Sequence, residues 1–429
     1  MLNKKGSYAR FFLAGFLTGF SISFPYLIPL FLLGHYLFIK GILTNKKFYL
    51  YNMIPGWIFG FGFFLSSMHW IINPFLIYEK HLILAPFILL LFPFLMGTFY
   101  SIASVLITRF VQTYAINNSF FFLKCFVISG FLFATEYLRS YIFGGLPFNL
   151  NAHIWVFDER FIKIVSYVGV FGLSFLTTYW ITVTNLLVYR KSFFFLFPLL
   201  LFPTLLLLIS FFANSNEKEE KKENILIRVI QPNIHQKQKW NKVFFQDHID
   251  RLLKLSTINS DDRELIVVWP EVALTVYLNE QSDLIGYLRQ NLNDNITLIT
   301  GGLRRDFEEK NIKVFNSIYV IKKNEITFYD KKRLVPFGEF IPFRFILNSF
   351  KLTPGETDFS RGKANNILEF KHLGNKIIFE PSICYESIFQ TFNSSKINLF
   401  INITNDAWFG NTTGPKQHLT ASIFRSVEK

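Results

Sequence analysis

One cysteine in the second half of the chain lies at a position where its thiol could act as a nucleophile. The stretch "SICYESIF" (382–389) places Cys384, one of only two cysteines, at the end of an apolar run that predicts a strand. A cysteine becomes a nucleophile when a nearby base or positive charge favours its thiolate. Free cysteine is otherwise usually buried as a small apolar side chain. The stretch therefore predicts a reactive thiol only if charged groups reach it.

A carboxylate at the end of a second apolar run is the candidate base. In "LIVVWPEVAL" (265–274), Glu271 follows Pro270 and a predicted strand. The carboxyl ends of strands are where open α/β sheets place their binding sites. A glutamate next to a proline at the start of a helix is also common. Glu271 is thus a candidate that needs partners before it defines a site.

A basic stretch supplies the candidate for stabilising an oxyanion. In "YDKKRLVPFGEF" (329–340), Lys331, Lys332 and Arg333 precede a turn that contains proline and glycine, and Glu339 follows it. A solvated strand end is the simpler interpretation for two of the three cations. A positioned lysine, however, can hold the negative charge that develops in acyl transfer. Because Glu271, Lys331 and Cys384 all fall near strand ends, we predict that they converge.

Metal and disulfide chemistry are not predicted. The segment "NITNDAWFGNTTGPKQHL" (402–419) contains His418 but has no second histidine or cysteine at ligand spacing. Asn405, Asp406 and Trp408 of this segment are expected in a loop beyond a strand. The other cysteine, Cys125, lies in an apolar block, so a disulfide with Cys384 is not expected. We expect no metal and no organic cofactor.

The elements that carry these residues alternate between strands and helices. Residues 225–429 contain short apolar runs such as "ILIRVI", "ELIVVW", "ITLIT", "FNSIYVI" and "INLFINI", with amphipathic runs near 242–257 and 281–291. This alternation predicts an α/β domain. The charged segment "NSNEKEEKKEN" (214–224) is interpreted as a linker.

The first half of the chain has the composition of a membrane domain. The whole chain is 51% hydrophobic with 55 Phe, and residues 1–213 hold only 14 Lys/Arg and four Asp/Glu. A span needs about 20 apolar residues. We predict seven segments: 9–24, 26–43, 53–74, 83–108, 123–143, 163–189 and 193–213. The first two are short and divided by Pro25, so one re-entrant unit is the alternative. Glu136 and Arg139, within the fifth, are expected to be functional or paired with each other.

The distribution of charge predicts the orientation in the membrane. With the N-terminus inside, ten Lys/Arg lie at inner ends and four at outer ends, as the positive-inside rule requires. An odd number of spans then puts the α/β domain outside, which in a Gram-negative bacterium is the periplasm. Of the net charge of +14, most flanks membrane segments, so nucleic-acid binding is not expected.

Taken together, the motifs resemble the apolipoprotein N-acyltransferase family, bacterial membrane enzymes with a nitrilase-like domain. The resemblance covers nearly the whole chain. Its membrane part includes "GFGFFLSSMHWI", "ATEYLRSYIFGGLPFNL" and "YVGVFGLSFL", and its outer part includes "QPNIHQKQKW", "VVWPE", "DKKRLVPFGEFIP", "ICYES" and "NDAWFGNTTGPKQHL". It implies a helical membrane bundle (1–213), a linker (214–224) and a nitrilase-like αββα sandwich (225–429). It also implies further strands and a last membrane helix beyond Lys429, so we expect the domain to be incomplete at its C-terminus.

The resemblance assigns roles residue by residue. Cys384 is implied as nucleophile, Glu271 as general base and Lys331 as third member of the triad. Glu339 matches a second essential glutamate that orients the triad. Four further residues match supporting or substrate-binding positions: Tyr385 and Glu386 after the nucleophile, Trp240 on a mobile loop, and Trp408 near the acyl entrance.

The function implied is transfer of an acyl chain from a phospholipid to the N-terminal α-amine of the diacylglyceryl-cysteine of apolipoproteins, through a thioester on the cysteine. The resemblance implies a multi-pass inner-membrane enzyme with a periplasmic catalytic domain, and we expect a monomer. Two alternatives stay open. A membrane-tethered amidase would use the same triad in a closed polar pocket, and an inactive truncated scaffold would have no activity.

Overall fold

A computed structural model of the 429-residue chain describes residues 4–44, 49–113, 120–216, 225–258, 264–308, 311–323, 325–341, 358–363, 367–390 and 397–428. The chain divides into two compact units. The helical unit comprises residues 1–76, 82–218 and 411–428, and the α/β unit comprises residues 77–81 and 219–410. The break near residue 218 falls in the segment interpreted as a linker. The final described helix, 414–428, groups with the helical unit.

The helical unit is built mainly from long apolar helices. Its helices are α1 (Lys4–Ser23), α2 (Ile28–Thr44), α3 (Met53–Met68), α4 (Asn73–Leu76), α5 (Ala85–Thr113), α6 (Phe121–Arg139), α7 (Glu159–Ile162), α8 (Val165–Tyr189), α9 (Leu196–Asn216) and α13 (Gly414–Glu428). Each of the seven predicted segments overlaps one of these helices. α1 and α2 are separate helices on either side of Pro25.

Within the described residues, five helical segments are long and apolar enough to cross a membrane. They are Tyr49–Leu76, Glu79–Thr113, Phe121–Arg139, Val165–Tyr189 and Phe193–Ala213, with α2 as a shorter apolar helix. α1 carries Lys4, Lys5 and Arg10, and such cations are costly inside a bilayer. The chain is therefore a membrane protein by the length and composition of its helices.

Glycines allow the first helices of this unit to pack closely. A Cβ added to Gly15 would lie 1.9 Å from the carbonyl oxygen of Phe59, and one on Gly19 would lie 2.2 Å from that of Phe63. Small residues let membrane helices bring their backbones together, since lipid supplies no hydrophobic drive between helices. α1 consequently packs directly on the backbone of α3.

Glu136 and Arg139 bind the loop that follows their helix. The Glu136 carboxylate accepts hydrogen bonds from the Asn151 amide nitrogen at 2.8 Å and from the Ser174 hydroxyl. The Arg139 guanidinium donates to the carbonyl oxygens of Leu146 at 2.6 Å and Asn149 at 3.0 Å. Both residues are buried. They thus hold residues 146–151, and their opposite charges also act on each other, as the sequence suggested.

The α/β unit contains nine strands and three helices in its described part. The strands are β1 (Leu226–Val229), β2 (Leu265–Val268), β3 (Leu274–Tyr277), β4 (Ile296–Glu308), β5 (Asn311–Lys322), β6 (Glu325–Asp330), β7 (Leu368–His372), β8 (Asn375–Ile383) and β9 (Leu399–Ile403), and the helices are α10 (Gln236–Lys239), α11 (Phe245–Thr257) and α12 (Ser282–Asn291). The predicted α/β class of this domain is confirmed.

Two sheets form the core of the α/β unit. The first has the order β1-β2-β4-β5-β6, with β1, β2 and β4 parallel and β3 paired to β4. From β4 to β6 it is antiparallel. The second sheet has the order β7-β8-β9, with β8 and β9 parallel.

The alternation of side chains along the strands explains the layers. In β2, Leu265 and Val267 belong to the core cluster that includes Leu252 of α11 and Leu288 of α12. Ile266 and Val268 belong to the cluster shared with the second sheet. A strand buried on both faces is expected to be apolar throughout. The described residues of this unit thus supply a helix layer and two sheets of the expected sandwich.

Candidate active site

Glu271 lies at the carboxyl end of β2 in a tightly constrained turn. The next residue, Val272, has φ +45°, a conformation rare for a β-branched residue. Gly301 of β4 packs against this turn, since a Cβ there would lie 2.4 Å from the Val272 nitrogen and 2.6 Å from the Pro270 carbonyl oxygen. The backbone around Glu271 is therefore fixed by close contact with the neighbouring strand, and strain of this kind concentrates at functional sites.

Lys331 follows directly after β6 and is held through its main chain. Its amide nitrogen donates to the Asn316 carbonyl oxygen of β5 at 2.9 Å, and its carbonyl oxygen accepts from the Gly362 amide at 2.9 Å. The preceding Asp330 is paired with Arg304 at 2.8 Å and accepts from Ser317 at 2.6 Å. The side chain of Lys331 is 1% exposed. These contacts leave the ammonium group little freedom to move.

A single buried cluster joins the lysine to two carboxylates. Lys331 Nζ lies 2.9 Å from Glu339 Oε1 and 3.4 Å from Glu271 Oε1. The side-chain amide of Asn316 donates to the same two oxygens, at 2.8 Å to Glu271 and 3.0 Å to Glu339. The Asn405 amide nitrogen donates to Glu271 Oε2 at 3.0 Å. Buried charges are tolerated when they are paired and hydrogen-bonded in this way.

Electrostatics in the cluster keep Glu271 ionised. Burial by itself would raise the pKa of Glu271, but the ammonium groups of Lys331 and Lys239 outweigh it and the pKa lies below its usual value. Burial would likewise lower the pKa of Lys331, but Glu339 and Glu271 reverse this and raise it. At neutral pH the pair is therefore a carboxylate and an ammonium, the states required of a base and an oxyanion binder.

Cys384 directly follows β8 with a strained backbone. Its φ is +48°, whereas residues with a side chain rarely adopt the left-handed region. β8 pairs with β9, and the β9 strand leads to Thr404, whose side chain hydrogen-bonds with the Cys384 thiol. The residue is half-buried. The strained residue therefore lies at the carboxyl end of β8.

The thiol is protonated at rest. Burial raises the pKa of the Cys384 thiol well above its usual value, and the charges of Glu271 and Asp406 raise it further against the opposing effect of Lys331. A carboxylate oxygen of Asp406 lies within 4.8 Å of the sulfur. Because the charges of Glu271 and Lys331 both act on the pKa of the thiol, the three groups share one electrostatic environment. The arrangement suits proton removal by Glu271 as the sulfur attacks, rather than a standing thiolate.

Glu386 connects the Cys384 turn to the lysine segment. Its Oε1 accepts from the amide nitrogens of Lys332 at 2.7 Å and Arg333 at 3.0 Å, and its Oε2 accepts from that of Ile383 at 2.9 Å. The Tyr329 hydroxyl donates to the same carboxylate at 3.0 Å. Glu386 therefore links the backbone at Ile383, just before Cys384, to the backbone at Lys332 and Arg333, just after Lys331.

The three aromatic residues predicted from the sequence are close in sequence to residues of this site. The Tyr385 ring packs edge-on against Phe389, with centroids 5.0 Å apart. Trp240 directly follows Lys239, which donates from Nζ to the Glu271 carbonyl oxygen at 2.9 Å. Trp408 lies in the short turn Asp406–Phe409. Their roles toward a substrate stay predictions.

Sequence reasoning missed two polar residues of the site. Asn316 bridges both glutamates, and its only signal was the polar pair Asn316–Ser317 inside the apolar run "FNSIYVI". Lys239 contacts the main chain of Glu271, and its signal was its place next to Trp240 in "QKQKW". Both residues become recognisable only when distant strands and the 236–240 segment are brought together.

Comparisons with known proteins agree with this architecture. Residues 14–183 match the family described as the apolipoprotein N-acyltransferase N-terminal domain, and residues 226–429 match the carbon-nitrogen hydrolase family. An apolipoprotein N-acyltransferase of Rickettsia prowazekii is 33% identical over 383 residues, covering 87% of this chain and 74% of the relative. That of Rickettsia bellii is also 33% identical, covering 97% of this chain and 82% of the relative. That of Brucella suis is 29% identical, with coverages of 96% and 78%.

Proposed function

The chain belongs to the apolipoprotein N-acyltransferase family, and we propose that it N-acylates apolipoproteins by passing an acyl chain through a thioester on Cys384. In this proposal Glu271 is the general base, Lys331 stabilises the oxyanion, and Glu339 holds the lysine. The acyl donor is a phospholipid of the surrounding membrane. The acceptor is the free α-amine of a diacylglyceryl-cysteine at the N-terminus of a lipoprotein.

The observation that carries the proposal is the buried Glu271–Lys331–Glu339 cluster beside a strained, protonated thiol. Lys331 donates one hydrogen bond to each glutamate, and an ammonium group has three donors. Among the described residues the third donor is left for a carbonyl oxygen brought to Cys384. A base, a nucleophile and an oxyanion binder are the three parts that acyl transfer requires.

The first step forms the acyl-enzyme. The Glu271 carboxylate takes the Cys384 thiol proton while the sulfur attacks the carbonyl carbon of an ester at the sn-1 position. The carbonyl oxygen of the ester becomes an oxyanion held by the Lys331 ammonium. The carbon–oxygen bond to glycerol then breaks, and the proton on Glu271 passes to the leaving alkoxide. The products are a thioester on Cys384 and a lysophospholipid.

The second step transfers the acyl chain to the lipoprotein. The neutral α-amine attacks the thioester carbon, and Glu271 accepts a proton from the attacking nitrogen. Collapse of the tetrahedral intermediate breaks the carbon–sulfur bond, and Glu271 returns the proton to the sulfur. An amide forms and the free thiol is restored. A thioester suits this task because a thiolate is a good leaving group toward an amine.

The proposal places the enzyme in the inner membrane with its α/β unit in the periplasm. The ten-to-four bias of Lys/Arg toward inner ends supports this orientation. A reporter fused at residue 220 should behave as periplasmic, and a cytoplasmic signal there would overturn the assignment of donor and acceptor. Because the described charged cluster comes from one chain, we propose that a monomer is sufficient for activity.

Trapping the acyl group on the protein tests the proposed route. Incubation of the detergent-solubilised protein with phospholipid should add one acyl chain to the peptide that contains Cys384, measured by mass spectrometry. Neutral hydroxylamine should remove it, as expected for a thioester. Cys384→Ser should abolish the adduct, since a hydroxyl is a weaker nucleophile at the same base. The matched control is Cys125→Ser, because Cys125 is buried in α6.

Two outcomes would contradict this route. Absence of any adduct at Cys384 in a folded protein that still modifies lipoproteins would exclude a thioester there. Release of free fatty acid or cleavage of a small amide, without transfer to an amine acceptor, would favour hydrolysis over transfer. An adduct at Cys384 that a diacylglyceryl-cysteine peptide removes as an amide supports both steps.

A further inference from the structure

Lys239 is a second cation at the site, and the proposed mechanism assigns no role to it. It is the last residue of α10, and its Nζ donates to the main-chain carbonyl oxygen of Glu271 at 2.9 Å. Its charge acts on both Glu271 and Cys384. A partly buried ammonium that contacts the backbone of a candidate base is costly unless its charge is compensated. The surrounding negative groups supply that compensation.

The short helix α10 is attached to the site at both of its ends. At one end, the Gln236 side-chain oxygen accepts from the Asn405 side-chain amide at 2.9 Å, and the Asn405 backbone amide donates to the Glu271 carboxylate. At the other end, Lys239 reaches the Glu271 carbonyl. The segment that carries Trp240 is thus tied to both the side chain and the main chain of Glu271.

The charges around Cys384 indicate what Lys239 contributes. Apart from Glu386, which is bound by backbone amides, three carboxyl groups face the site, from Glu271, Glu339 and Asp406, and Lys331 supplies one positive charge against them. With Lys239 protonated, the cluster carries a net charge of about −1, and without it about −2. Moving negative charge onto the Cys384 sulfur during attack costs more as the surroundings become more negative.

We propose that Lys239 is a positioning residue of the acyl-transfer site, whose ammonium group clamps the Trp240 segment to Glu271 and lowers the cost of negative charge on the Cys384 sulfur. The inference rests on the proposed role of Cys384 as the acylated thiol. Lys239 is thus a second lysine of the cluster, which orients the Trp240 segment and adds positive charge. Lys331, in contrast, contacts the reacting oxygen.

The charge of Lys239 is titratable near physiological pH. Burial lowers the pKa of Lys239 to about 8, against the opposing effect of the Glu271 carboxylate. From the side of α11, His248 also faces it, and the positive lysine contributes to a lowered pKa of that histidine. Since the folded-state pKa lies below the usual lysine value, the ammonium is present below about pH 8 and is lost above it. The assistance to the thiol should therefore fade in alkaline solution.

Alkylation of Cys384 by iodoacetamide measures this effect without any acyl donor. The variants are Lys239→Gln, which removes the charge, and Lys239→Arg, which keeps it at every pH tested. The matched control is Lys237→Gln, because Lys237 is exposed on the same short helix. The rate at Cys384 is followed by mass spectrometry between pH 7 and 9.5. Cys125 in α6 is buried, so its protection reports that the helical unit is folded, and the Lys237→Gln and Lys239→Arg variants report on the α/β unit.

We expect Lys239→Gln to slow alkylation of Cys384 at pH 7 by about tenfold, the change produced by one pKa unit at the thiol. Lys239→Arg and Lys237→Gln should stay within about twofold of the unmodified protein. At pH 9.5 the alkylation rate of the unmodified protein should equal that of Lys239→Gln, because its lysine has lost the proton. The rate of Lys239→Arg should remain higher. A purely structural lysine would not produce this crossover.

Equal rates for the unmodified protein and Lys239→Gln at pH 7, with Cys125 protected, would overturn the inference. A loss in Lys239→Arg as large as in Lys239→Gln would also overturn it. If Lys239→Gln exposes Cys125, the comparison of Lys239→Arg with the unmodified protein at pH 9.5 decides alone. Acyl-adduct formation is measured in parallel. Lysine-dependent alkylation without any acyl adduct would refute the proposed function and the acyl-transfer role of Lys239, and would leave only the effect of the Lys239 charge on the Cys384 thiol.

Discussion

Replacing Asn316 with alanine should move the acid limb of the acylation rate to higher pH. The Asn316 amide donates to Glu271 at 2.8 Å and to Glu339 at 3.0 Å, and the three residues are buried. A hydrogen bond to a charged group contributes about 1.5–3 kcal/mol, and one pKa unit corresponds to about 1.36 kcal/mol. Loss of the bond to Glu271 should therefore raise the pKa of that carboxyl, and its protonation should become about 10- to 100-fold more favourable.

The sign of the effect follows from the state of the base. The pKa of Glu271 is below its usual value because Lys331 and Lys239 outweigh the effect of burial, so the carboxylate is available at neutral pH and is lost as pH falls. In Asn316→Ala it should be lost at a higher pH. The acylation rate on the acid limb should fall by about 10- to 100-fold. At pH 8 the carboxyl is still ionised, so the rate should fall far less.

The assay is the initial rate of acyl-adduct formation at Cys384 between pH 4.5 and 8.5, quenched and measured by mass spectrometry. Asn291→Ala is the control, because its amide donates to the Tyr287 carbonyl oxygen at 2.8 Å on an exposed helix face. That variant should keep the original profile. A profile of Asn316→Ala that superimposes on the original, or a loss of equal size at every pH, would refute the argument from ionisation.

Three further substitutions test other parts of the site, and a fourth, in α12, is their control. Lys331→Ala should slow acylation by about 10²–10³-fold, the loss typical of one oxyanion donor; an unchanged single-turnover rate would remove it from the mechanism. Gly301→Ala should lower activity and the thermal midpoint together, because the new Cβ would collide with the turn after Glu271. Gly286→Ala in α12 meets no atom within 4 Å and should stabilise by about 0.5–1 kcal/mol. Glu386→Gln should destabilise by about 2 kcal/mol, since its amide group would face backbone donors; an unchanged midpoint would contradict its role as a connector.

Local pattern was sufficient to predict most elements and their class. The alternation of apolar runs and amphipathic runs predicted β2, β8, β9, α11 and α12, because burial on one or both faces leaves a period in the sequence. β3 (Leu274–Tyr277) and β7 (Leu368–His372) were not predicted. β2 and β9 are equally short but almost continuously apolar, whereas β7 includes Glu369, Lys371 and His372 and β3 includes Thr275, so neither forms an apolar run. The extension of β4 to Glu308 was also missed, since its outer end pairs with β5 and is largely exposed.

The sequence determined which residue types were available for the chemistry, and their order along the chain. Glu271, Lys331 and Cys384 could be singled out because each follows an apolar run, and strand ends meet at sheet edges. Only the tertiary structure decided that Lys331 lies between two glutamates, that Asn316 joins them, and that Lys239 reaches the main chain of Glu271. These contacts link residues 8 to 60 positions apart, and their energies depend on burial and distance. Neither quantity is encoded in a local pattern, because both arise when the sheets and the 236–240 segment pack together.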